Sequence, residues 1–126
     1  MIRENIVPNP LIADVDNTAE FEREYPTLSK EFKKIQEQQY KLFAVKMLSY
    51  GLDNISVGSK LETENEKHLS ITSIWIRCMD KIQRLKNLVI YKRNNPLKDE
   101  PTIDAWKDLS VYGIIAQLVS NGKWKR

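Results

Sequence analysis

Apolar residues recur at intervals of three and four along three long stretches of the chain, the spacing of one helix face. In residues 28–50 the pattern runs through Phe32, Ile35, Leu42, Val45, Met47 and Leu48, with Ser29 placed to cap the helix and Gly51 placed to end it. Residues 71–91 carry the longest stripe: Ile71, Ile74, Trp75, Cys78, Met79, Ile82, Leu85, Leu88 and Val89. Ser70 or Thr72 would cap that helix, and Asn94, Asn95 and Pro96 would stop it. The third pattern opens at Asp99, Glu100 and Pro101 and continues through Ile103, Trp106, Leu109, Tyr112, Ile115, Ala116 and Val119 to a stop at Asn121 and Gly122. Between the first two, residues 52–70 are polar and rich in turn signals, so they read as a loop with a short helix near 63–67. Ahead of them all, residues 1–27 hold Pro8, Pro10 and Pro26 and read as an arm with at most a helical turn at 17–24. The expectation is an all-α bundle, with an arm at 1–27 and one helical domain at 28–126. The stripe at 71–91 is broader than three helices cover easily, which predicts self-association.

Composition narrows the class. The 126 residues hold 20 Lys and Arg against 17 Asp and Glu, a net charge of +3 with both signs mixed along the chain. A nucleic-acid binder concentrates its cations, so direct nucleic-acid binding is not expected. The cluster Lys123, Lys125 and Arg126 reads as a solubilising tail. One cysteine, Cys78, allows no intrachain disulfide and reads as a small core residue. The single histidine, His68, sits in a polar stretch and offers no catalytic dyad. No apolar run reaches the length of a signal peptide or the roughly 20 residues of a membrane span, so a cytoplasmic protein without a membrane partner is expected.

The chemistry lies in acids and bases that punctuate the last two helices. Glu100, Asp104 and Asp108 are spaced four apart, one turn each, on one side of the final helix. Acids in a first turn are favoured by the helix dipole, but Asp108 lies beyond it and repels Asp104 unless a cation intervenes. In the helix before it, Arg77, Asp80, Lys81 and Arg84 interrupt the apolar stripe, at spacings that also fit ordinary intrahelical ion pairs. There is no glycine-rich phosphate loop. Trp75 and Trp106 lie on apolar faces and read mainly as core, with a stacking role for a base as the other option; Tyr50 has the same option.

The order of these pieces carries a resemblance. KMLSYGLDNIS, then SIWIRCMDKIQRLKNL, then KDEPTIDAWKDLSVYGII, resembles the nucleotide modification associated domain family, type 1, of phages and bacteria. Its members read K-x-x-x-YG, then R-x-x-DK-x-x-RL, then DE-x-x-x-DT-x-x-DLANYAI. Lys46, Tyr50 and Gly51 match the first piece; Arg77, Asp80, Lys81, Arg84 and Leu85 the second; Asp99, Glu100, Asp104, Asp108, Leu109 and Tyr112 the third. The likeness spans residues 40–120, about two-thirds of the chain. It implies kinship with MazG-like, all-α nucleoside triphosphate pyrophosphatases, which hold magnesium on carboxylates from two helices and act as dimers or tetramers. The usual E-E-x-x-E helix of those enzymes is absent here, and Ala105, Ser110 and Val111 replace commoner residues of the last motif. On this resemblance the chain would form a homodimer or homotetramer, Glu100, Asp104 and Asp108 would be Mg2+ ligands, and Asp80 and Asp104 catalytic. Lys46, Lys81 and Arg84 would hold phosphate, Arg77 would orient Asp80, and Tyr50 would line the base. The implied activity is hydrolysis of a (deoxy)nucleoside triphosphate in nucleotide-pool control or phage DNA-base modification. A non-catalytic nucleotide-sequestering module and a helical adaptor are the alternatives.

Overall fold

In a computed structural model the described residues, 15–126, are predominantly helical, with no strand among them. The all-α expectation holds for them; the arm up to residue 14 lies outside the described residues. They divide into two compact units, which meet in sequence at Gln38 and Gln39.

The first unit contains α1 (Thr18–Glu24) and the beginning of α2 (Pro26–Tyr50). The Thr18 N–H donates to Asp16 Oδ1 at 2.9 Å, and that bond holds the Asp16 carboxyl below the ordinary carboxylate range. The Phe21 and Tyr25 rings lie 5.9 Å apart, and Glu22 pairs with Lys33. Pro26 opens α2 two residues earlier than the sequence pattern predicts, at a position where the missing N–H costs no hydrogen bond. Ser29 is therefore not the cap: it is buried in the first turn and its hydroxyl donates to the Pro26 carbonyl.

In the second unit α2 ends as expected. Gly51 takes φ +74° and its N–H donates to the Met47 carbonyl at 2.9 Å. The stretch read as a loop is more ordered than that. A single turn, α3 (Asp53–Ser56), is closed by Val57 in the left-handed region at φ 55°. Then α4 (Glu64–Leu85) begins seven residues ahead of the predicted 71, because Thr63 and Glu66 form a capping box. The Glu66 N–H donates to Thr63 Oγ1 at 3.1 Å, and Glu66 Oε1 accepts from the Thr63 N–H at 3.0 Å and the Glu62 N–H at 2.8 Å. The predicted cap, Ser70, is instead fully buried in α4, where its hydroxyl donates to the Ile55 carbonyl at 2.6 Å and ties α4 to α3.

The chain widens into one π-helical stretch, Lys86–Ile90, and leaves the helix at Tyr91. Last comes α5 (Thr102–Ser120), which packs along α4. It ends in a Schellman turn: the Gly122 N–H reaches the Val119 carbonyl and the Lys123 N–H reaches the Leu118 carbonyl at 2.8 Å, with Gly122 at φ +70°.

Ile55, Ile74, Ile115, Val119 and Trp124 form the core of this unit, with Phe43, Met47, Cys78 and Tyr112 packed partly against it. Trp124 corrects the reading of the C-terminus. Its neighbours are charged, but its own side chain is 7% exposed, its ring meets Phe43 edge-on at 6.2 Å, and its Nε1–H donates to the Leu52 carbonyl at 3.1 Å. The tail is thus anchored in the core. Trp75 and Trp106, read as core, are 61% and 53% exposed. The apolar stripes of α4 and α5 are two-sided, and the side that packs internally is the one carrying Ile74, Leu85, Ala105 and Val119. Cys78 is half-buried against the core, and burial pushes its thiol up from the ordinary value. Among the described residues no helix is long and apolar enough to cross a membrane.

Candidate functional site

One pocket of about 270 Å³ lies among α2, α4 and α5 of the second unit. Two α4 cations one turn apart, Lys81 and Arg84, line it together with Glu100, Asp104 and Asp108 of the final-helix motif. Leu42 and Lys46 of α2 and Ala105 and Lys107 of α5 complete the lining. The helical spacings account for this. Lys81 and Arg84 share a face at i, i+3, and Asp104 and Asp108 share one at i, i+4, so two packed helices present them to each other.

Each α4 cation takes a carboxylate from across the pocket. Lys81 Nζ stands 3.0 Å from Asp108 Oδ2, and each side chain keeps roughly a third of its surface in water. The bond to Asp108 raises the Lys81 ammonium above its ordinary value, against the opposing effect of partial burial. Arg84 Nη1 stands 3.2 Å from Glu100 Oε2, while Nη2 donates to Asn95 Oδ1 at 3.3 Å and to the Glu100 carbonyl. Asn95 Nδ2 donates to that same carbonyl at 2.9 Å. Arg84 therefore does two things: it faces the pocket, and it fixes the segment that leads into α5. Its buried Nε has no hydrogen-bond partner among the described residues.

Three pocket groups make no ion pair among the described residues: the carboxylate of Asp104 and the ammonium groups of Lys46 and Lys107. Asp104 lies in the first turn of α5, at the positive end of the helix dipole.

The remaining sequence candidates lie elsewhere. Asp80 is exposed on α4 and does not line the pocket. Its expected intrahelical pairs do not form, because both flanking arginines find partners off the helix: Arg84 at Glu100, and Arg77 at the Asn54 carbonyl, 2.8 Å from Nη2. Tyr50, Trp75 and Trp106 are exposed and also outside the pocket lining. Lys107 was missed by sequence reading; its signal was its place three residues after Asp104, on the acidic side of α5.

Magnesium takes oxygen ligands and tolerates a sparse carboxylate set that leaves several waters in place. Glu100, Asp104 and Asp108 have the right chemistry and line one pocket. As the side chains stand, two of the three are held by cations, and among the described residues no group of three His, Cys, Asp or Glu is close enough together to hold a metal ion. The residues as they stand form no site for a bare ion: Lys81 and Arg84 would first have to release Asp108 and Glu100. Comparison with known proteins adds no kinship: no family model, curated protein or solved structure matches the chain.

Proposed function

We propose that the second unit binds a (deoxy)nucleoside triphosphate as its magnesium complex and hydrolyses it between the α and β phosphates. The observation that supports this reading is the single pocket in which Lys46, Lys81, Arg84 and Lys107 meet Glu100, Asp104 and Asp108. Four cations suit a polyphosphate chain, and ammonium and guanidinium groups recognise phosphate oxygens strongly. Phosphate oxygens compete with carboxylates for Lys81 and Arg84, and as those cations turn to phosphate, Glu100 and Asp108 become available beside Asp104. Magnesium, when bound there, screens the phosphate charge. Water attacks the α phosphorus, the bond to the bridging oxygen breaks, and pyrophosphate leaves. Asp104 is the carboxylate placed to take the proton, being the one pocket acid without a cation of its own among the described residues. The basic wall holds the departing charge. The wider setting we propose is that of the MazG-like resemblance: nucleotide-pool control or phage DNA-base modification, in the cytoplasm.

One observation favours a second reading. With Glu100 and Asp108 already paired, the pocket is better supplied to hold phosphate than to cleave it, which suits a module that sequesters nucleotides. Pyrophosphate release from a panel of triphosphates with magnesium separates the two. Turnover supports hydrolysis, and binding without turnover supports sequestration. No binding at all removes both and leaves a helical adaptor. Self-association belongs to either reading, and we assign it to the exposed Trp75, Ile76 and Ile82 of α4 with Val89 of the π-helical stretch that follows. Sedimentation of the wild type against Trp75→Glu tests it: the variant should sediment as a smaller species.

A further inference from the structure

We infer that the pocket reads the phosphate chain and neither base nor sugar, so that its ligands are nucleoside triphosphates of any base together with inorganic tripolyphosphate. The inference rests on the phosphate-binding reading above and narrows it.

Three observations carry it. The lining is made of charged side chains plus Leu42 and Ala105; it contains no aromatic ring, no side-chain amide and no hydroxyl. A base is told apart by stacking on a ring or by hydrogen bonds to its edge, and a ribose by hydrogen bonds to its hydroxyls; the lining groups able to make such bonds are already engaged, Arg84 with Glu100 and Asp108 with Lys81, and Asp104 is given to the attacking water in the reading above. The three rings that sequence offered for stacking, Tyr50, Trp75 and Trp106, lie outside this lining. Size agrees. At about 270 Å³ the pocket falls below the roughly 300–1,000 Å³ of sites that enclose a whole small-molecule ligand, so a nucleoside would stand outside while its phosphates enter. Charge agrees as well. Lys46 and Lys107 have no anionic partner among the described residues. Donors left over from internal pairing at the walls of one pocket are the groups an incoming anion satisfies.

The full chain is titrated calorimetrically, with and without magnesium, with ATP, GTP, CTP, UTP, dTTP, inorganic tripolyphosphate, pyrophosphate and adenosine. The five nucleotides should bind within about fivefold of one another, since a stacking or edge-reading contact would spread them by roughly tenfold or more. Tripolyphosphate should displace ATP completely, pyrophosphate should bind more weakly, and adenosine should not bind. In Lys46→Gln with Lys107→Gln all phosphate ligands should weaken together, with their ranking unchanged. One base preferred by about fiftyfold or more, with tripolyphosphate unable to compete, overturns the inference while leaving nucleotide binding intact. Failure of every phosphate compound to bind overturns both.

Discussion

Replacing Asp104 and Asp108 together by asparagine separates what the acids do for the fold from what they do in the pocket. Asparagine keeps the shape and removes two negative charges from a lining that holds four positive and three negative ones. The stability cost is small. The Lys81–Asp108 pair, partly solvated at 3.0 Å, is worth at most about 1 kcal/mol. Losing the helix-dipole benefit of Asp104 removes ~0.3–1 kcal/mol, and ending the i, i+4 repulsion returns ~0.2–0.5 kcal/mol. Urea unfolding should therefore place the variant within about 2 kcal/mol of wild type, with an unchanged slope. The effect on metal-free anion binding has the opposite sign. A carboxylate about 6 Å from a phosphate charge repels it by ~0.7 kcal/mol at the dielectric of water, so removing two strengthens binding by ~1.4 kcal/mol per phosphate charge engaged, or roughly tenfold. Calorimetric titration of tripolyphosphate in EDTA should thus show tighter binding to the double variant, and pyrophosphate release with magnesium should disappear. Metal-free affinity that falls in the variant would refute the reasoning, because the acids would then be contacting the ligand as acceptors and the cations would not be what holds it.

The other predictions concern the scaffold. Trp124→Ala removes a 7% exposed indole, its edge contact with Phe43 and its bond to Leu52, and should cost about 3–5 kcal/mol in urea unfolding, against about 1 kcal/mol for Trp124→Phe; a loss under about 1 kcal/mol for Trp124→Ala means the tail is not anchored. Val57→Gly relieves a β-branched residue at φ 55° and should raise stability by about 1 kcal/mol, read as a higher midpoint. Thr63→Ala should destabilise by about 0.5–2 kcal/mol and speed amide exchange in the first turn of α4. The same turn carries a pH dependence. Backbone N–H groups of Thr63 and Glu62 hold the Glu66 carboxyl below its model-peptide value of 4.5, so its contribution is complete above that pH and is lost as pH falls below it. Protection factors in residues 64–67, that is, the intrinsic exchange rate at each pH divided by the observed rate, should fall on acidification in wild type and stay nearly flat across that range in Glu66→Gln; equal profiles refute the capping box.

Much of the helical plan was legible because it is local. Gly51 and Gly122 ended helices where the pattern put them, whereas the final helix began only at Thr102, which makes Pro101 its N-cap residue and leaves Glu100 ahead of the helix rather than on it. Most of the misses share one cause: partners distant in sequence decided the outcome. Ser70 reads as a cap by its neighbours, yet the Ile55 carbonyl claims its hydroxyl inside a helix already begun at Thr63. The capping box itself was in plain view as T-E-N-E, masked by the polar run around it. Three tryptophans look alike to a periodicity count, and the one placed among Lys123, Lys125 and Arg126 is the one buried. In the pocket, Lys81 and Arg84 do lie with Glu100, Asp104 and Asp108, which residue spacing puts on facing helix sides. The same reading places Asp80 with them, whereas Asp80 lies outside the lining, since spacing along one helix cannot reveal that Arg77 will turn to Asn54 and Arg84 to Glu100.

Those cross-helix pairs decide where binding energy for an anion arises. For Lys81 and Arg84, engaging phosphate means giving up a carboxylate, so one charge-assisted contact replaces another and the net gain is small. Arg84 also stands to lose contacts with Asn95 and the Glu100 carbonyl that fix the approach to α5, which biases it toward staying. Lys46 and Lys107 give up only water. Affinity should therefore be governed by the two solvent-exposed lysines, while the two better-buried cations govern the shape of the pocket. A divalent ion shifts that balance, since it offers Glu100 and Asp108 a replacement partner at the moment phosphate draws their cations away. Phosphate and magnesium are then expected to bind with mutual benefit, by the same factor whichever is added first. Equal polyphosphate affinity with and without magnesium would mean that Lys81 and Arg84 keep their carboxylates throughout, and hydrolysis would lose its acids.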